Sequence, residues 1–128
     1  MTDPLVEAAR AVQQRAYAPY SRFRVGCAVE ADDGRVFVGC NVENASYGLT
    51  ICAERAAVCA AVAGGARRLR RAVVVSDTDP PAAPCGACRQ VLREFGRELS
   101  VLGVGPGGTT TWTMAELLPS AFGPEQLA

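Results

Sequence analysis

Cys52-Ala53-Glu54-Arg55 and Pro84-Cys85-Gly86-Ala87-Cys88 bring three thiols and a carboxylate into a chain that contains no histidine. Any metal site must therefore be ligated by sulfur or oxygen, and any general base must be something other than imidazole. Three thiolates around a tetrahedral zinc ion leave one position open, which is what a hydrolytic zinc needs to hold water. The Glu54 carboxylate, two residues from one thiol, is spaced to move protons to and from that water.

Working outward, both motifs fall where helices should start. Ile51 to Ala63 predicts a helix closed by Gly64-Gly65. It is almost purely small and apolar, with alanine at 53, 56, 57, 60, 61 and 63, so more than one of its sides should be covered. Cys85 to Phe95 predicts a second helix, with Cys88, Val91, Leu92 and Phe95 at helical spacing and Gly96 as its cap. Between them, the valine run Ala72 to Ser76 predicts a strand buried on both faces. Upstream, Asp3-Pro4 starts a helix whose apolar positions run from Leu5 to Ala16. Phe23 to Glu30 and Arg35 to Asn41 read as a hairpin around Asp32-Asp33-Gly34. Downstream, Leu99 to Val104 and Thr109 to Thr113 read as strands, and Met114 to Leu118 as a short helix. A hairpin followed by helix, strand, helix and strand points to a three-layer α/β sandwich around one mixed sheet.

The 128 residues suit one domain spanning 1–128. Thirteen basic residues balance thirteen acidic ones, which argues against a nucleic-acid surface. The one cationic cluster, Arg67-Arg68-Leu69-Arg70-Arg71, reads as a solvated loop and not as a phosphate patch. The start, Met1-Thr2-Asp3-Pro4-Leu5, lacks the basic and apolar regions of a signal peptide, and no apolar run is long enough to span a membrane. A soluble cytoplasmic protein is the expectation. In that setting six cysteines favour metal or redox chemistry over disulfides.

Three thiolates and Zn²⁺ sum to a net negative charge, which opposes making a bound water acidic. Helix N-termini carry partial positive charge and unpaired N–H groups that can draw charge off the sulfurs. Arg55 can add to this as a neighbouring cation. Two competing readings remain at this level: a structural zinc site, with Cys27, Cys40 or Cys59 as a fourth ligand, and a thioredoxin-type redox Cys-x-x-Cys. Cys27, Cys40 and Cys59 read most simply as packed apolar cysteines. Asn41 and Glu43, two apart at a strand end, point to one face and suit sugar hydroxyls, or else form a turn with Asn44.

The chain resembles the short, single-domain cytidine deaminases of the zinc-dependent cytidine/deoxycytidylate deaminase family. The resemblance lies in Tyr20–Gly26, Gly39–Tyr47, Cys52–Arg55, Pro84–Gln90 and Leu117–Pro124, in that order. It implies a three-layer α/β/α sandwich around a mixed five-stranded sheet. It implies one Zn²⁺ per subunit held by Cys52, Cys85 and Cys88, with Glu54 as the catalytic acid/base and Arg55 and Gln90 close behind the metal. It further implies that Asn41 and Glu43 bind the ribose, that Phe23 walls the pyrimidine and that the Ala53 backbone meets the base edge. Tyr47 and Phe122 match aromatic positions lent to a neighbouring subunit of a homotetramer, an assembly in which the alanine-rich helices would meet at Ala57 and Ala60. Cys27 stands where the family more often has alanine. The implied activity is hydrolytic deamination of cytidine and 2′-deoxycytidine to uridine and 2′-deoxyuridine, a step of pyrimidine salvage. A deaminase of an aminoacyl-nucleoside antibiotic would share the thiol ligands.

Overall fold

The computed structural model describes residues 3–127, so the reading of Met1 and Thr2 lies outside it. Helix α1 (Pro4–Gln13) starts as its sequence predicts: the Asp3 carboxylate accepts the Leu5 N–H at 3.0 Å and Pro4 takes the first helical position. It stops short of Ala16, because the N–H groups of Gln14, Arg15 and Ala16 turn to the carbonyls of Ala11, Val12 and Gln13 and tighten the last turn.

Strands β1 (Gly26–Ala31) and β2 (Val36–Cys40) form the hairpin, with Gly34 at φ +92° in the turn. Phe23 to Val25 do not extend β1 as expected. The Asn41 side chain intercepts them, its Oδ1 accepting the Val25 N–H at 2.9 Å and its Nδ2 donating to the Phe23 carbonyl at 2.7 Å. Helix α2 (Ala53–Ala63), strand β3 (Leu69–Val75), helix α3 (Gly86–Phe95), strands β4 (Ser100–Gly105) and β5 (Gly108–Thr113), and helix α4 (Met114–Leu117) follow. The five strands make one sheet in the order β2-β1-β3-β4-β5. Only β3 and β4 run parallel, so the sheet is mixed.

Side chains alternate across the sheet. Ala28, Val73 and Val75 pack with Leu5 and Ala9 of α1 on one face. Cys27, Val29, Ala72 and Val74 pack with Ala57 and Ala61 of α2 and Leu92 of α3 on the other. The valine run is thus buried on both sides, as predicted, and the architecture is the expected α/β/α sandwich. Close approach sets two glycines. A Cβ on Gly26 would strike the backbone of α1, and one on Gly39 would strike the backbone of α2 at Ala57.

That contact corrects one expectation. Ala57 is fully buried inside the chain, against β2, and is not on an assembly face. The uncovered side of α2 carries Cys59, Ala60 and Ala63. Cys59 is therefore exposed, Cys40 is half-buried, and only Cys27 is a packed core cysteine. The arginine cluster is also more ordered than a loop. Arg70 and Arg71 lie on β3, Arg70 pairing with Glu30 at 3.0 Å and Arg71 with Asp3, while Arg67 donates to the Val62 carbonyl near the C-terminal end of α2.

Candidate active site

The two motifs meet because α2 and α3 begin side by side on the same face of the sheet. Cys52 is the N-cap of α2 and Cys85 the N-cap of α3, and neither uses its side chain to cap. Cys88 lies in the first turn of α3 and is fully buried. The three sulfurs lie within 4.8 Å of one another, with Cys52 to Cys85 at 3.9 Å and Cys85 to Cys88 at 3.4 Å. Sulfurs on a tetrahedral zinc with bonds of ~2.3 Å would stand ~3.8 Å apart, so this cluster fits zinc with little movement. Cys27, Cys40 and Cys59 stand outside the cluster, which leaves a three-ligand set among the described residues.

The sulfurs already share charge unequally. A hydrogen bond from the Cys88 thiol, helped by Arg55 and Cys85, holds the Cys52 thiol down to about 5. The same bond, together with burial, pushes Cys88 well up. Arg55 reaches back over the motif, its Nη2 lying 3.5 Å from the Cys52 sulfur and 3.4 Å from the Thr50 carbonyl. Its Nε is buried with no hydrogen-bond partner.

Glu54 is only 6% exposed. Burial pushes its carboxyl up to about 7, the Cys52 charge adds to this, and its own backbone N–H and Arg55 oppose it. A carboxyl group poised there can both take and give a proton near neutral pH. It lines a cavity of about 220 Å³ together with Cys52, Ala53, Cys85, Phe23, Asn41 and Glu43.

The other carboxylate in this cavity is treated in the opposite way. Glu43 Oε1 accepts the N–H groups of Tyr20 at 3.0 Å and Ser21 at 3.2 Å, and Oε2 accepts the Ser21 hydroxyl. The Ser21 hydroxyl, then the backbone N–H groups, hold Glu43 below the usual carboxylate range.

Residues 2–104 match the family model described as the cytidine and deoxycytidylate deaminase zinc-binding region. The chain belongs to that deaminase family. A cytidine deaminase of Sporosarcina psychrophila is 44% identical over 128 residues, covering 98% of this chain and 94% of the relative. One from Mycobacterium tuberculosis H37Rv is 49% identical over 112 residues, covering 88% and 82%. A crystal structure of cytidine deaminase from Burkholderia pseudomallei superposes with a TM-score of 0.90 at 50% identity, covering 95% of this chain and all of that one. At 16% identity, the Bacillus anthracis enzyme still shares the fold, with a TM-score of 0.74.

Most of the expected deaminase site converges on this cavity: Cys52, Cys85, Ala53, Glu54, Phe23, Asn41 and Glu43 all line it. Five expected residues do not: Cys88 and Arg55 sit against Cys85 and Cys52 outside its walls, and Gln90, Tyr47 and Phe122 lie elsewhere. The Gln90 amide donates to the Phe122 carbonyl at 3.0 Å, so it holds the tail. Tyr47 and Phe122 are 74% and 57% exposed and line no part of the cavity. Tyr47 instead stacks edge-on with Tyr20, at 5.9 Å between centroids, beside an adjoining cavity of about 270 Å³ that shares Glu43 and Thr50. Sequence reasoning missed Val25, Thr50, Val74, Ala82 and Ala83, which complete the walls. Their residue types carry no chemical signal, and only the chain path brings them here. Ser21 was also missed, though it stands within the Tyr20–Gly26 stretch.

Proposed function

We propose that this chain hydrolyses the exocyclic amine of cytidine and 2′-deoxycytidine, taking up water and giving uridine or 2′-deoxyuridine and ammonia. The observation that carries this is the poised, buried Glu54 carboxyl lining a cavity, with three converging thiols at two helix N-termini. The relatives' shared name, cytidine deaminase, supports the choice of nucleoside.

Cys52, Cys85 and Cys88 would hold zinc, which when bound supplies a Lewis acid that makes water a nucleophile near neutral pH. The chain's own groups do the rest. Glu54 takes a proton from the attacking water, delivers it to the ring nitrogen, and then carries a proton to the departing amine. The raised affinity of Glu54 for protons suits this double use. Arg55 and the N-terminal dipoles of α2 and α3 offset the negative charge of the thiolates. Phe23 walls the pyrimidine, the Ala53 backbone meets the base edge, and Asn41 and Glu43 take the sugar. The Asn41 amide retains a second N–H for a sugar hydroxyl beyond the one given to Phe23. Zinc content and ultraviolet loss of cytidine, measured on one preparation, test this reading. Zinc-loaded protein without turnover would sink it.

The exposed residues Tyr47 and Phe122, the bare side of α2 and the uncovered Leu49 and Ile51 support assembly into a homotetramer in which subunits share sites. Gln90 then acts by presenting Phe122. The sum of charges is zero, which supports a site without nucleic-acid partners, and a cytoplasmic role in pyrimidine salvage completes the reading; no helix among the described residues is long and apolar enough to cross a membrane. Light scattering at assay concentration tests the assembly. Ala60→Trp should shift wild-type tetramer to smaller species and lower activity, although no cavity residue is touched. A fully active wild-type monomer would exclude the shared site.

A further inference from the structure

We propose that Ser21 is a positioning residue for the sugar end of the site, its hydroxyl locking the Glu43 carboxylate so that one acceptor position is left for a nucleoside hydroxyl. The inference rests on the nucleoside reading above and adds to it a residue that contacts no reacting atom. Ser21 Oγ donates to Glu43 Oε2 and accepts the Phe23 N–H at 3.0 Å. One hydroxyl therefore ties the carboxylate to the backbone that carries the aromatic wall. The segment is folded tightly enough for this because Arg22 sits at φ +60°, a left-handed conformation uncommon for a residue with a side chain, and its N–H is held by the Ala18 carbonyl at 3.0 Å.

An ionised carboxylate offers about four acceptor positions. In Glu43 two on Oε1 go to the Tyr20 and Ser21 N–H groups and one on Oε2 goes to the Ser21 hydroxyl. The remaining one can accept a single hydroxyl. Glu43 should therefore read one sugar hydroxyl and not a vicinal pair, which makes ribose and 2′-deoxyribose equivalent at this contact. Without the Ser21 hydroxyl, Oε2 is free to turn and the Phe23 backbone loses its acceptor, so the hydroxyl contact should weaken while Glu54 chemistry stays in place.

The test compares kcat and KM of wild type, Ser21→Ala and Ser21→Thr with cytidine, 2′-deoxycytidine and 2′,3′-dideoxycytidine, with zinc content and melting temperature alongside. In wild type, 2′-deoxycytidine should be preferred over the dideoxy compound. In S21A this preference should shrink by about tenfold, the size of one charge-assisted hydrogen bond, mainly through KM. S21T, which keeps the hydroxyl, should restore it. A wild-type preference in folded, zinc-loaded S21A overturns the role of Ser21 alone. An equal loss with all three nucleosides also overturns it, because that is the pattern of a general structural defect. Wild type that leaves cytidine untouched overturns the nucleoside reading first, and this inference with it. Should S21A fail to fold, Ser21→Cys keeps the shape with a weaker donor and must show the same narrowing.

Discussion

Two glutamates line one cavity and are tuned in opposite directions. Glu54 is buried at the helix N-terminus, and burial raises its carboxyl to about 7. Glu43 lies on an irregular segment near the surface, and three donors from Tyr20 and Ser21 keep it ionised. The same side chain can exchange protons near neutral pH in one place and is a fixed hydrogen-bond acceptor in the other. Desolvation acts on the first and preorganised donors act on the second. Reaction chemistry suits the group that exchanges protons near neutral pH, and recognition the group that does not.

The sharpest way to break this comparison is Glu54→Gln. The variant keeps three sulfurs and similar volume but cannot shuttle protons, so turnover should fall by at least about 10²–10⁴-fold. Zinc content and melting temperature should hold. Wild-type turnover in the zinc-loaded variant would remove Glu54 from the chemistry.

Glu43→Ala should cost less, and selectively. On the proposed reading it removes a contact to the sugar, so nucleosides should lose far more than free cytosine, which has no sugar to grip. Equal factors for the two substrates would mean that Glu43 does not bind the sugar.

Arg55→Gln sharpens the comparison from the other end. Removing the cation beside Cys52 leaves more negative charge on the thiolates and takes away a force that lowers the Glu54 carboxyl. Both changes make protons harder to release. The acidic limb of the pH–rate profile should therefore move to higher pH, with tighter zinc retention in wild type than in the variant. An unchanged profile at full activity would show that the two helix N-termini suffice.

The smallest effect belongs to a carboxylate outside the cavity. Asp3 caps α1 and pairs with Arg71 on β3, and that hydrogen bond lowers its pKa. Asp3→Ala should cost about 1 kcal/mol of stability, typical of a lost N-cap, with kcat unaffected. The sign with pH follows from the lowered value. The stabilisation is present above the pKa of an unfolded aspartate, near 4, and is lost as the pH falls through the folded one. Urea melts of wild type and variant should converge in acid.

Much of this was legible without coordinates, because covalent neighbours impose it. The Asp3-Pro4 start, the Gly34 turn, the doubly buried valine run and both cysteine motifs at helix N-termini follow from local rules of capping, turns and burial. The spacing of Cys85 and Cys88 puts two sulfurs in one turn, and that of Cys52 and Glu54 pairs a ligand with an acid.

Tertiary structure alone decided what depends on distant segments. Gly39 seats α2 on β2, which turns Ala57 inward and Cys59 outward, a choice that so alanine-rich a helix could not signal. Asn41 bonds to Phe23 and Val25 and so ends β1 before the strand pattern does. Ser21 meets Glu43 across a gap of 22 residues, and Gln90 meets Phe122 across 32. Hydrogen bonds between segments so far apart arise only once the sheet has brought them together. Sequence alone therefore determined which chemical groups this protein can bring to a site, and packing decided how each is aimed and how tightly it holds its proton.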